Sequence, residues 1–213
     1  MARLFSIKPS LTFKGRKFKG LRGFAGKPFH PPLTDLPAAA YVLVAVFDLI
    51  SYLAWEGGWG QDFGGGLYGE EGSSIGHDFF VSGTHVIIAG AIASLGAIIT
   101  GLWDWWKGMA RDPNGFLGKA TKTQAWRTAN WHMAVMLTVT VIVIVNIILR
   151  LSYWDDGYAE PSIVILSLLA GLGVSFGALY GGALVYEMGF NVETAGDAPY
   201  WHESEEDDYP GKG

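Results

Sequence analysis

The stretch TANWHMAVMLTVTVIVIVNIILRLSY, residues 128–153, decides the fold. It contains no Asp, Glu or Lys, and Arg150 is its one permanently charged side chain. The hydrocarbon core of a bilayer is about 30 Å thick and takes roughly 20 mostly apolar helical residues to cross. Three other stretches meet the same requirement: Leu33 to Trp55, Val81 to Trp106 and Pro161 to Tyr186. The 213-residue chain therefore reads as an all-α membrane protein, a four-transmembrane-helix bundle with spans at 33–55, 81–106, 128–153 and 161–186. Its 16% of charged residues fits this reading, because soluble domains carry about 25%.

Charge sets the expected orientation. The first 30 residues hold eight Lys/Arg and no acid, and the segment from Lys107 to Arg127 holds five more beside Asp112. The other two loops are acidic, with Glu56, Asp62, Glu70, Glu71 and Asp78 in one and Asp155, Asp156 and Glu160 in the other. Basic loops stay on the cytoplasmic side, so both termini are expected in the cytoplasm. Trp55, Trp59, Trp103, Trp105, Trp106, Trp126, Trp131 and Trp154 fall near span ends, where amphipathic rings settle at the headgroup level. Three regions result: a basic arm at 1–29, the membrane domain at 30–190 and an acidic tail at 191–213 ending in Glu203, Glu205, Glu206, Asp207 and Asp208. The arm has no short apolar core followed by a small-residue cleavage site, so it is not a signal peptide. The loop from Glu56 to Phe80 is rich in glycine and is expected to lack regular structure of its own.

The absence of cysteine excludes a disulfide framework, thiolate zinc, cysteine-ligated iron–sulfur clusters and covalently attached haem. No nucleophile elbow, phosphate loop or His-Glu-x-x-His signature is present, so no catalytic residue is assigned. The expected partners are membrane lipid and other subunits of a membrane complex, not nucleic acid. Helices in lipid associate by close approach through small residues. Gly173, Gly177 and Gly181 form such a face on the fourth span, and Ala89, Ala93 and Ala97 form one on the second.

An ionisable side chain inside a span is costly and is a functional candidate by default. On the cytoplasmic side lie His30, Asp104, His132 and Glu187; on the outer side lie Asp48, His85, Asn146 and Arg150. The outer set reads as a structural polar cluster, an Asp48–Arg150 ion pair with Asn146 and His85 completing the hydrogen bonds. The inner set reads as a cofactor site. Two neutral imidazoles facing each other across a bundle can axially ligate a b-type haem iron, which makes His30 and His132 the candidate ligands, with Asp104 or Glu187 as an orienting partner. A quinone held by His132 with Trp131 or Tyr186 uses the same end of the bundle, and a site without any cofactor is the third alternative.

The motifs His30-Pro31-Pro32-Leu33-Thr34-Asp35-Leu36-Pro37, Thr100-Gly101-Leu102-Trp103-Asp104, Ala129-Asn130-Trp131-His132 and Gly181-Gly182-Ala183-Leu184-Val185-Tyr186 occur in that order. Over His30 to Val192 the chain resembles a bacterial four-helix membrane family of unknown function. Members of that family open with a His-Pro motif and close with Gly-Gly-x-Leu-Val-Tyr. Some members resemble membrane anchors joined to Rieske domains, and the architecture is similar to that of small cytochrome b carriers. The resemblance thus implies electron transfer in the membrane, although this chain has no cysteine with which to build a Rieske centre. Two functions follow as expectations: a membrane subunit of a redox complex holding one haem or quinone, or a cofactor-free accessory subunit that stabilises a larger assembly. A transporter is disfavoured, because the spans show no internal repeat.

Overall fold

The computed structural model describes residues 29–58, 74–108, 124–188 and 190. The basic arm apart from Phe29, most of the glycine-rich loop with Trp59, the loop at 109–123 and the acidic tail lie outside the described residues. The described residues form four long helices: α1 (His30–Gly57), α2 (Ile75–Gly108), α3 (Gln124–Ser152) and α4 (Pro161–Gly182). A single 3₁₀ turn, Trp154–Asp156, joins α3 towards α4, and α4 continues into a π-helical turn at Ala183–Glu187. All four are long and apolar enough to cross a membrane.

The helices extend beyond the apolar stretches, for local reasons. Pro31 and Pro32 occupy the first turn of α1, where a missing N–H breaks no helical bond. His30 is thereby inside the helix and not ahead of it. Gly58 stops α1 in the left-handed conformation (φ 63°), its N–H returning to the Trp55 carbonyl at 3.3 Å. Helix α2 starts at Ile75 instead of Val81, because Ser74 Oγ accepts the His77 N–H at 3.2 Å as an N-cap. Helix α3 starts at Gln124 instead of Thr128. The fourth span ends in the π turn, closed by the Met188 N–H on the Ala183 carbonyl at 3.1 Å.

Tyr41 and Val44 of α1, Ile87 of α2, Val139 and Val143 of α3, and Ala170 and Val174 of α4 form the central core. Large side chains such as Ile92, Ile99, Val141, Ile148, Leu172 and Leu179 face outward, as expected where the surrounding medium is itself apolar. Helix α1 packs along α2 and α4, α3 packs on α4, and α2 and α3 barely touch.

The small-residue faces differ in part from the expectation. Helix α2 approaches α1 through Gly76, Gly83, Gly90 and Ala97, a strict seven-residue repeat of buried positions, while Ala89 is exposed. A Cβ on Gly90 would stand 2.7 Å from the Ala40 Cβ, so the two backbones are in close contact. Gly173, Gly177 and Gly181 turn towards α3 within the same chain, against Val139, Met136 and His132. A Cβ on Gly173 would stand 2.7 Å from Val139 Cγ2, and the β-branched valine has no free rotamer in a helix to yield with. Gly173→Ala is expected to destabilise the bundle by about 1–3 kcal/mol. Gly182→Ala, whose Cβ would meet only Tyr186 Cδ2 at 3.9 Å, serves as the neutral control in detergent unfolding.

Candidate functional site

Polar side chains gather at two levels. His30 and Asp48 lie 18 residues apart on α1, which at 1.5 Å per residue separates the levels by about 27 Å.

At the first level His30 of α1 and His132 of α3 meet with ring centroids 6.4 Å apart and planes at 82°. His30 Nδ1 lies 3.2 Å from Thr100 Oγ1 on α2. Thr100 Oγ1 also lies 2.8 Å from the Gly96 carbonyl. His132 Nδ1 lies 2.9 Å from the Gly177 carbonyl of α4, which can only accept. His132 is thus assigned the tautomer that carries its proton on Nδ1 and a lone pair on Nε2, while His30 has both the Thr100 hydroxyl and the Ala97 main-chain carbonyl as hydrogen-bond partners. The His132 arrangement is the usual state of a metal-binding histidine, whose other nitrogen donates to a fixed acceptor. Glycine makes room for both rings: a Cβ on Gly101 would stand 2.6 Å from His30 Cε1, and one on Gly181 would stand 3.2 Å from His132 Cε1.

Among the described residues no group of three or more His, Cys, Asp or Glu side chains could hold a metal ion. Two imidazoles alone suit a metal whose other ligands arrive with it. A haem would bring its own ring nitrogens and would take its protein ligands from the two imidazoles. The two rings come from different helices and stand 6.4 Å apart between centroids, and by donor chemistry such a pair suits that group.

The other residues expected at this end are placed less uniformly. Asp104 is buried on α2, one turn beyond Thr100. Trp131 and Tyr186 are 62% and 89% exposed and face outward, so the structure does not bring them to His132 as a quinone site requires. Thr100 and Gly101 belong to the site but were not among the expected site residues. Their signal was the Thr-Gly pair in the motif that closes the second span.

The second level joins all four helices. Arg150 of α3 forms a fully buried ion pair with Asp48 Oδ2 of α1. Its Nε donates to Asn146 Oδ1 at 2.7 Å and its Nη1 to Thr84 Oγ1 of α2 at 3.2 Å. Ser167 of α4 donates to the same Asp48 oxygen, and Asn146 Nδ2 donates to Ser167 Oγ at 2.7 Å. His85 is not part of this cluster. It is exposed, with Nδ1 on the Val81 carbonyl of its own helix at 2.8 Å, because its position on α2 points away from α1. Thr84, its neighbour in sequence, takes the inward place.

Beyond this level, Tyr158 stacks on Trp55 with centroids 4.3 Å apart and planes at 5°. A hydrogen bond to the Glu160 carboxylate, with a smaller part from burial and from the charges of Glu160, Asp156 and Glu56, pushes its phenol up to about 12. A raised phenol stays protonated to higher pH, so the tyrosinate absorbance assigned by comparison with Tyr158→Phe should rise near pH 12. Glu160→Gln should move it down, and a midpoint near 10 in the unaltered protein would contradict the assignment.

The fold and these two sites define a multi-pass membrane protein built as a four-helix bundle. The chain belongs to the DUF2231 family of predicted membrane proteins, whose sequence model matches residues 26–194. No curated protein and no solved structure matches the chain.

Proposed function

We propose that this chain is an electron-transfer subunit of a membrane redox complex and holds one b-type haem between His30 and His132. The observation that carries the reading is the pairing of two imidazoles from different helices at 6.4 Å, each with Nδ1 held by a hydrogen-bond partner. Bound there, the haem supplies a one-electron change at its iron. The chain's own part is to hold the rings. Thr100 and the Gly177 carbonyl hold the two Nδ1 atoms, and Gly101 and Gly181 let the rings lie against α2 and α4.

The charge pattern supports an orientation with both termini in the bacterial cytoplasm, which puts the histidine pair near the cytoplasmic face. The quinone alternative is weaker, because Trp131 and Tyr186 face outward. A cofactor-free accessory subunit is the competing reading, and it predicts a persistent larger complex without haem in this chain.

Thr100→Val tests the role of the second nitrogen. Losing the acceptor of the Nδ1–H makes His30 a poorer electron donor, so the midpoint potential of the bound haem should rise. Thr100→Ser should restore it. Equal potentials in all three proteins would count against His30 as a ligand.

A further inference from the structure

The hydrogen bonds around Asp48 and Arg150 can be counted donor by donor. Of the five N–H groups of Arg150, Nε gives one to Asn146 Oδ1, and Nη2 gives its two to Asp48 Oδ2 and to Ser167 Oγ, the latter at 3.3 Å. Nη1 has two N–H groups and, among the described residues, a single hydrogen-bond acceptor, Thr84 Oγ1. Asn146 spends both of its N–H groups, on the Ile163 carbonyl and on Ser167 Oγ. The hydroxyl protons of Ser167 and Thr84 are likewise used, on Asp48 Oδ2 and on the Phe80 carbonyl. Two capacities are left over: one N–H of Arg150 Nη1, and Asp48 Oδ1, which no donor among the described residues reaches.

The two leftovers share a neighbour. The point at which Gly83 would carry a Cβ lies 3.1 Å from Asp48 Oδ1, 3.4 Å from Arg150 Nη1 and 3.6 Å from Phe47 Cβ. Both Asp48 and Arg150 are fully buried. An unfilled acceptor on a charged carboxylate and an unfilled donor on a guanidinium, side by side and out of reach of solvent, are each costly. One molecule that both donates and accepts removes both deficits. The spot is too narrow for a carbon framework, since a single Cβ would already touch three atoms, so a quinol or a carboxylic acid does not fit. Water has the matching hydrogen-bonding capacity, able to donate to the carboxylate and accept from the guanidinium at once.

We propose that Asp48 Oδ1 and Arg150 Nη1 hold one water molecule against Gly83, which donates to the carboxylate and accepts from the guanidinium. The ion pair is then a hydrated site sealed among four helices. The absence of a side chain at Gly83 serves this site as well as the approach of α2 to α1. The proposal is independent of the haem reading, because the two sites lie at different levels and share no residue.

Infrared difference spectra of the protein in lipid vesicles, in H₂¹⁶O and in H₂¹⁸O, test it. The unaltered protein should show an isotope-shifted O–H band of a hydrogen-bonded internal water, and Gly83→Ala should lose it. Gly83→Ser places a hydroxyl in the water's position, so it should lack the band yet unfold at a higher denaturant concentration than Gly83→Ala. That order reverses the one expected from side-chain size alone. The proposal is overturned if the unaltered protein has no such band, if Gly83→Ala retains it, or if Gly83→Ser is no more stable than Gly83→Ala. Should Gly83→Ala fail to fold, the band in the unaltered protein and its absence from folded Gly83→Ser still decide the matter.

Discussion

Arg150→Leu is expected to lower the stability of the folded bundle by about 3–5 kcal/mol, the range found when one partner of a buried ion pair is removed. The side chain is fully buried and serves Asp48, Asn146, Thr84 and Ser167, one or more from every helix. Its removal leaves the Asp48 carboxylate without a counter-charge in a medium where no bulk water can replace it. Asp48→Leu should be damaging for the mirror-image reason, an unpaired guanidinium. The double variant, Asp48→Leu with Arg150→Leu, removes both charges and should recover much of the loss, because apolar replacement of a buried pair is often close to neutral. Reversible unfolding in mixed micelles measures all three. Single variants within about 1 kcal/mol of the unaltered protein would mean that the pair does not hold the four helices together.

His132→Gly is expected to abolish haem binding while leaving a folded bundle. The imidazole is part-buried and, among the described residues, its hydrogen bond is to the Gly177 carbonyl, which is in any case the end of an intrahelical bond. Imidazole added to the solution should enter the space left beside Gly181 and restore the spectrum. A structural histidine would show no such rescue. His30→Gly should behave in the same way. Gly101→Ala gives a milder version, since its Cβ would stand 2.6 Å from His30 Cε1 and must push the ring aside.

The four spans were legible because an apolar stretch of that length has few other uses, and Arg150 was conspicuous within one. Asp48 stood out for the same reason, and the structure brings the two together. The helix ends were less legible. Hydropathy stops at Val81, but the N-cap at Ser74 carries α2 through the polar residues His77 and Asp78. Rotation of each helix about its own axis was the weakest point. Of the adjacent Thr84 and His85, the ionisable candidate drew attention and the hydroxyl points inward. The repeat of Gly76, Gly83, Gly90 and Ala97 was hidden by the competing Ala89, Ala93, Ala97 spacing and by its start outside the apolar stretch. Ser167 lies on the buried stripe with Ile163, Ala170 and Val174, but the glycine face at 173, 177 and 181 was the one the spacing brought out. The histidine pair could be proposed from depth alone. The groups that hold its Nδ1 atoms, a threonine on α2 and a main-chain carbonyl on α4, come from other helices and required the packing.

The most direct test of the account is a reduced-minus-oxidised absorption spectrum with pyridine haemochrome quantification on the purified, folded chain supplied with haem. The account predicts a b-type signal with one haem per chain, lost in His30→Gly and in His132→Gly. Folded protein that takes up no haem, or a signal unaffected by either substitution, would contradict it.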